Sequence, residues 1–200
     1  MAATLLALLV LQAVSLASAF PGGAPASSCV DMTPRHAGVQ PQPDPAPYHI
    51  LTSSPTFQTG QNVTVVIAGA EYRALLLEAR AGTKSAAVGS WSLPPADTKL
   101  LQCSGNPYGA ITHAGTSIKD GSTTYTWTPP SDTNTVYFIA TVAQQRNVFW
   151  LNIKSDTLTR ATAEGAAPAT AGSPGLAFHG DSLLLAACVA AGARVLRTPL

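Results

Sequence analysis

Charged side chains are scarce in this chain of 200 residues, and neither sign dominates. Eleven Lys and Arg stand against ten Asp and Glu, charged residues make up 10% of the sequence, and no block of like charge occurs. Proteins that bind DNA or RNA electrostatically carry a basic patch or stripe. We therefore expect no nucleic-acid partner. Membrane lysis by a strongly cationic surface is also unexpected.

Apolar runs long enough to cross a bilayer are lacking too, since a spanning helix needs about 20 residues. The N-terminal run, Leu5 to Leu11, is followed by Ala17-Ser18-Ala19, a small-x-small pattern typical of signal-peptidase sites. We predict a secretory signal peptide over 1–19 and a mature chain that starts at Phe20, although no Lys or Arg precedes the run. The expected location is extracellular, where cysteines tend to pair.

Local catalytic signatures are missing as well. The sequence has no G-x-S-x-G, H-E-x-x-H, C-x-x-C or G-x-x-x-x-G-K-[ST] pattern. Its histidines, His36, His49, His113 and His179, are never three or four residues apart. We expect no enzymatic activity and no cofactor. One alternative stays open for His113, which is either a hydrogen-bonded residue at a strand end or a partner of His36 in a site assembled from distant segments.

Only three cysteines are present, Cys29, Cys103 and Cys188, so at least one cannot pair within the chain. Cys29 lies in SCVDMTPRH (28–36), which places a thiol, the thioether of Met32 and the imidazole of His36 within eight positions. These donors suit a soft metal ion if Cys29 is a free thiolate. A disulfide at Cys29 would remove that ligand and leave Met32 as a packing residue.

What the sequence does contain is a series of short β-type segments separated by turn residues. Val63, Val65 and Ile67 would share one face of a strand, as would Tyr125 and Trp127. RALLLEARAG (73–82) has a composition that also suits a short helix, and we predict a strand there. The expected fold is all-β, a two-sheet antiparallel sandwich. The predicted strands are 48–52, 62–69, 73–79, 87–93, 99–103, 123–128, 135–143 and 147–154, with turns at Pro94-Pro95, Asn106-Pro107, Asp120-Gly121 and Pro129-Pro130.

Aromatic residues make up only 6% of the chain, yet several fall in these strands. They form either the core or an exposed platform for sugars or lipids, and the core is the commoner role. The residues concerned are Trp91, Trp127, Phe138, Phe149 and Trp150. A separate surface feature is Asn62, which begins the sequon Asn62-Val63-Thr64 and is a candidate glycosylation site in a secreted protein.

Composition also marks the limits of the predicted domain, which we place at 20–160. Prolines at 41, 43, 45 and 47 favour an extended lead-in to the first strand. Residues 161–182, rich in Ala, Gly, Pro, Ser and Thr, are predicted to be a linker, and 183–200 a weakly apolar tail. The tail fits a disordered end, the end of a longer membrane protein, or a glycolipid-anchor signal whose removal would take Cys188 with it. Arg194 and Arg197 count against the anchor.

Taken in order, several stretches resemble the reelin-type (reeler) domain, and within that family the small secreted insect defence proteins. The resemblance covers about residues 29–158. It implies an immunoglobulin-like β-sandwich in which Cys29 and Cys103 form a disulfide. The stretches are CVDMTPRH at 29–36, PY at 47–48, LLLEAR at 75–80, GSW at 89–91, LLQC at 100–103, TH at 112–113, YTWTPP at 125–130, FIATV at 138–142 and FWLNI at 149–153.

The resemblance implies secretion and a role in innate immunity, through antimicrobial action or through binding of microbial or cell-surface glycans or lipids. The formal net charge of +1 favours binding over lysis. The same domain heads ferric-chelate reductases, where a DOMON domain and a haem-bearing cytochrome b561 region follow. Our hypothesis is a secreted, non-enzymatic defence protein. The alternative is a short form of such a reductase's extracellular module, without the transmembrane helices that would hold haem.

Overall fold

The computed structural model describes residues 20–161, and these form eleven strands and one turn of 3-10 helix. The predictions for the signal peptide, for Cys188, for His179 and for the linker and tail from residue 162 onward lie outside the described residues. The elements are η1 (Ala26–Ser28), β1 (Tyr48–Thr52), β2 (Thr56–Phe57), β3 (Val63–Gly69), β4 (Ala74–Arg80), β5 (Ser90–Ser92), β6 (Thr98–Cys103), β7 (Asn106–His113), β8 (Thr124–Thr128), β9 (Thr135–Gln145), β10 (Val148–Lys154) and β11 (Leu158–Arg160).

The strands form two sheets that pack face to face, which confirms the all-β sandwich. A four-stranded sheet has the order β1-β3-β8-β5, and a seven-stranded sheet has the order β2-β11-β9-β4-β7-β6, with β10 also paired to β9. Pairing is antiparallel except between β2 and β11. Within this part of the chain no helix is long and apolar enough to cross a membrane.

The main core lies between the sheets and is built by strand alternation. Val63, Val65 and Ile67 are buried while Thr64 faces solvent, because successive strand side chains point to opposite faces. Trp127 packs edge-on against Phe57 and Phe138, with ring centroids 6.2 and 5.2 Å away. The largest fully buried side chains of this core are Trp91, Trp127, Tyr72, Tyr125, Phe57 and Phe138.

Gly89, in the stretch GSW, lets the main core close around Trp127. Its φ is +67°, and a Cβ there would lie 2.5 Å from the indole ring, so a larger residue would collide with the ring. The indole Nε1 donates a hydrogen bond to the carbonyl of Val88 at 3.0 Å. The turn before β5 therefore leaves room for the indole ring of Trp127 and accepts a hydrogen bond from its N–H.

β4 is the strand for which a helix was the alternative, and the structure shows why its sequence is ambiguous. Six of its seven residues are buried, because one face meets the main core and the other is covered as well. A strand buried on both faces has no apolar-polar alternation to recognise. It pairs with β9 on one side and with β7 on the other.

β7 was missed by the sequence analysis, and the turn predicted at Asn106-Pro107 is wrong. The hairpin turns instead at Ser104-Gly105, both with positive φ, and Cys103 pairs with Asn106. The register shifts between Leu101 and Cys103, a β-bulge position where strands accept proline and glycine. Pro107 therefore lies inside a strand, although proline is disfavoured in strand interiors.

Candidate functional site

Residues 20–36, here called the N-terminal strap, cover the outer face of the seven-stranded sheet. Cys29 and Met32 pack against outward side chains of β4, β7 and β9, and Met32 is 1% exposed. The sheet contributes Leu76, Ala110 and Ile139 to this second core. The strap therefore supplies the second cover that buries β4 on both faces.

A disulfide joins the strap to the sheet. Cys29 is bonded to Cys103, 74 residues further along the chain, with Cα atoms 5.6 Å apart. The pairing implied by the family resemblance is thus present. Because the sulfur of Cys29 is in a disulfide, it is not available as a thiolate, and the alternative of a soft-metal site at Cys29, Met32 and His36 loses that ligand.

The strap has almost no regular secondary structure, so its backbone polar groups need other partners. Outward side chains of the sheet provide them. Arg80 Nη2 donates to the carbonyl of Cys29 at 2.6 Å, and Thr141 Oγ1 donates to that of Met32 at 2.5 Å. Thr112 Oγ1 accepts the N–H of Ala24 at 2.8 Å. Polar residues thus lie on a buried sheet face because they substitute for strand pairing.

Glu78 is a further outward residue of this sheet, and its carboxyl-bearing side chain is completely buried. Arg80 Nε donates to Glu78 Oε2 at 3.0 Å, while Oε1 has no hydrogen-bond partner within residues 20–161. Burial raises the pKa of Glu78 to about 7, although the Arg80 charge acts in the opposite direction. A carboxylate oxygen lies within 4.8 Å of both disulfide sulfurs. As long as those sulfurs are bonded to each other, the three groups cannot act together as metal ligands.

His113 ends β7 beneath the start of the strap. Its Nε2 lies 2.8 Å from the carbonyl of Phe20, and its Nδ1 lies 3.2 Å from that of Leu75. Burial lowers the pKa of His113, against the effect of these two carbonyls, so the ring is neutral at pH 7 and the shorter contact places the hydrogen on Nε2. The structural role predicted for His113 is therefore the one observed.

His36 lies at the other end of the strap and is half-buried. Its Nδ1 lies 2.8 Å from the carbonyl of Arg146, to which it donates. The ring stacks on Phe20, with centroids 6.5 Å apart, and meets Phe149 edge-on at 6.3 Å. His36 and His113 are thus both near Phe20, and each has a ring nitrogen directed at a backbone carbonyl.

A groove, here called the strap groove, runs between the strap and the ends of β4, β7 and β9. An apolar crevice of about 50 Å³ opens into a wider depression of about 230 Å³. Both parts are lined by Phe20, His36 and His113. The wider part adds Arg73 and Arg146, which the sequence analysis did not single out. The β4–β9 pairing of Ala74 with Ala143 brings their neighbourhoods together, and no local pattern signals it.

The remaining residues singled out from the sequence lie outside the strap groove. Trp91, Trp127, Phe138 and Phe149 are buried, so the aromatic platform is wrong for them, and Trp150 packs against Tyr48 with centroids 5.4 Å apart. His49 is exposed on β1. Asn62 is exposed just before β3, and Thr128 Oγ1 donates to its Oδ1 at 2.8 Å.

The described residues thus form a β-sandwich in which outward side chains of one sheet hold an irregular N-terminal segment against that sheet. The family model of the Reeler domain matches residues 27–166. The chain belongs to the Reeler domain family.

Relatives of similar length come from moths. The chain is 40% identical over 155 residues to "Putative defense protein 3" of Antheraea mylitta, covering 75% of this chain and 92% of that protein. It is 45% identical over 154 residues to "Putative defense protein Hdd11" of Hyphantria cunea, covering 72% and 91%. The similarity therefore extends over nearly the whole of both relatives.

Two further comparisons either cover a small part of the relative or show low sequence identity. Ferric-chelate reductase 1 of Bos taurus is 30% identical over 160 residues, which are 78% of this chain but 27% of that protein. The crystal structure of the human F-spondin reeler domain covers 62% of this chain and 95% of that domain, with a TM-score of 0.50 and 14% identity. The second likeness supports the fold only.

Proposed function

We propose that this protein is a secreted, non-enzymatic defence protein that acts by binding a microbial or cell-surface component. The observation that carries this proposal is the similarity to insect proteins named as defence proteins over 91% and 92% of their lengths. The alternative, a short form of a ferric-chelate reductase's extracellular module, has weaker support because the chain corresponds to only 27% of such a relative.

The site geometry also favours binding over catalysis. Under the strap, Glu78 pairs with Arg80, and His113 donates from Nε2 to the carbonyl of Phe20, so these buried titratable groups have structural partners. The hydroxyl beside His113 Nδ1, Thr112 Oγ1 at 3.3 Å, is buried and already bonded to the carbonyl of Leu75 and the N–H of Ala24, so it is not placed as a free nucleophile. The strap groove is an open depression that a ligand can enter.

Binding is tested by incubating the purified mature protein with Gram-negative and Gram-positive bacteria, lipopolysaccharide and peptidoglycan at physiological salt. We expect at least one of these to retain the folded protein. The reduced and denatured chain is the control for non-specific adsorption. Retention of none of the four would overturn the proposal, whereas a transcript that continues into DOMON and membrane-spanning segments would favour the alternative.

Processing is part of the same proposal. We expect signal peptidase to cut after Ala19, and the intact mass of the secreted protein would show a chain that starts at Phe20. The same spectrum reports any loss of the C-terminal tail with addition of a glycolipid near Gly172. A secreted chain that retains residues 1–19 would contradict the signal-peptide assignment.

We also propose that Asn62 carries an N-linked glycan. Asn62 and Thr64 are both exposed and lie two residues apart, so they share the outer face of the four-stranded sheet. The hydrogen bond from Thr128 uses Oδ1 and leaves Nδ2, the nitrogen to which the glycan attaches. Treatment of the secreted protein with an N-glycosidase should lower its mass, and Asn62→Gln should abolish that change. An unchanged wild-type mass would contradict the assignment.

A further inference from the structure

The strap groove has a one-sided charge distribution. Arg73 and Arg146 are exposed at its wider part, and no Asp or Glu lines it. Neither arginine forms an ion pair with another described residue, since the pairs found there are Arg35–Asp31 and Arg80–Glu78. Glu71 lines the adjoining depression but is not bonded to Arg73. Two arginines therefore line the same depression, and no carboxylate among its lining residues offsets their charge.

The rim that carries Arg73 is held in place before any ligand arrives. Arg73 Nη1 donates to the carbonyl of Thr116 at 3.0 Å. The buried Lys119 Nζ donates to the carbonyls of Arg73 and Ser117, both at 3.1 Å, and so ties the same loop to β4. On the opposite side, His36 binds the carbonyl of Arg146. A groove organised in this way loses little conformational entropy on binding.

The narrow part of the groove contains neither Arg73 nor Arg146. It is lined mainly by apolar groups, among them Phe20, Met32 and Leu75. Ser28 also lines it, and its Oγ is buried with no hydrogen-bond partner in residues 20–161. An apolar crevice next to a wider depression that is also largely apolar but carries two arginines matches a ligand with an apolar chain and an anionic head.

We propose that the strap groove binds a phosphorylated amphiphile, with the phosphate between Arg73 and Arg146 and the start of an alkyl or acyl chain in the crevice beside Phe20. Arginine is suited to phosphate because its planar fork donates two parallel hydrogen bonds. Two such groups match a doubly charged phosphomonoester better than a single carboxylate. This inference rests on the proposed function, for which it names the ligand class and the surface that contacts it.

The test uses n-octyl phosphate below its micellar concentration, with the full mature protein and isothermal titration calorimetry. Octyl glucoside has the same chain with an uncharged head, and inorganic phosphate has the head alone. We expect octyl phosphate to bind at least tenfold more tightly than either, because only it occupies both parts of the groove. Equal binding of octyl glucoside would overturn the proposed role of the arginines. Equal binding of inorganic phosphate would overturn that of the crevice.

Variants locate the site. Arg73→Ala/Arg146→Ala should weaken octyl phosphate binding at least tenfold. Phe20→Ala should reduce the ratio of the affinity for octyl phosphate to the affinity for inorganic phosphate. The matched control is Lys84→Ala/Lys154→Ala, which removes the same charge from exposed positions outside the groove. Thermal denaturation verifies that each variant is folded. Wild-type affinity in the arginine variant, or an equal loss in the lysine variant, would overturn the proposal.

The outcomes also separate this inference from the proposed function. If octyl phosphate binds through the arginines but no microbial material is retained, the site stands and the defence function fails. If bacteria retain the Arg73→Ala/Arg146→Ala variant as well as the wild type, the function stands and the strap groove is not its site. A phosphate-headed lipid in vesicles, compared with the soluble octyl ester, then shows whether the source is a membrane.

Discussion

The main core and the layer beneath the N-terminal strap bury their sheet faces by different means. Between the sheets, both walls are strands whose backbone groups pair within each sheet, so aromatic and aliphatic side chains can fill the space. Under the strap, one wall is irregular chain, and Arg80, Thr112 and Thr141 must satisfy its backbone. The comparison shows that buried polar residues mark a sheet face covered by a segment without secondary structure.

The largest expected effect comes from removing the central ring of the main core. Trp127→Ala should lower the free energy of unfolding by about 3–5 kcal/mol, because the lost ring leaves a cavity beside Phe57 and Phe138. Urea denaturation measures the change. Thr124→Ala, on the exposed face of the same strand, is the matched control and should cost less than about 1 kcal/mol. Similar losses in the two variants would contradict the central role of Trp127.

Removing the disulfide should loosen the strap while leaving the main core folded. In a Cys188→Ala background, Cys29→Ala/Cys103→Ala should cost roughly 4 kcal/mol if chain entropy dominates, given the separation of 74 residues. Hydrogen exchange should then speed up in residues 20–36 and remain slow in β3 and β8. Uniform loss of protection would show that the two layers unfold together.

Glu78 should make stability depend on pH in a way that the main core does not. Its folded pKa, about 7, lies above the ordinary value of 4.5, so the folded state favours the protonated form. The free energy of unfolding that Glu78 contributes is fully present below pH 4.5. It is lost as the pH rises through 7, which lowers the free energy of unfolding by about 3 kcal/mol.

Denaturation of the wild type and of Glu78→Gln at pH 4.5, 6 and 8 measures this contribution as a difference. The comparison is needed because the lowered pKa of His113 acts with the opposite sign, removing stability as pH falls. We expect the two proteins to be similar at pH 4.5, and the glutamine variant to gain relative to wild type at pH 8. A constant difference would contradict the raised pKa.

The smallest effect on the free energy of unfolding should come from removing one side-chain hydrogen bond to the strap backbone. Thr141→Val keeps the shape but removes the donor to Met32, which leaves a buried carbonyl unpaired and should cost about 1–2 kcal/mol. Thr124→Val makes the same chemical change on the exposed sheet face and should cost less than about 0.5 kcal/mol. Equal stability of the two variants would mean that water replaces the lost hydrogen bond.

The sequence predicts the parts of the fold in which each residue's role is local. β1 was predicted at its observed bounds, and β3, β8 and β10 within one residue, because these strands have one face toward the core or are limited by turn residues. β7 was not predicted, since Asn106, Pro107 and Gly109 have turn-like propensities. The register shift and the close approach of Gly109 to Cys103 explain their presence in a strand.

The site was harder to predict than the fold. Glu78 and Arg80 lie in a stretch that looks like an ordinary strand end, and only the strap above them explains why a carboxylate is buried. Arg73 and Arg146 are isolated in sequence and carry no motif. The sequence leaves a joint site of His36 and His113 open, and the structure brings both to the strap groove with each bonded to a backbone carbonyl.

By itself, the sequence determined the β class, the strand alternation of the main core and, through its resemblance to a known family, the pairing of Cys29 with Cys103. These follow from periodicities of a few residues and from motifs that can be read in order. Only the tertiary structure decided that the strap covers β4, that Glu78 is buried beside the disulfide, and that two arginines share one groove. Burial and charge proximity depend on which distant segments meet, and β-sheet register sets those contacts over separations of up to about a hundred residues.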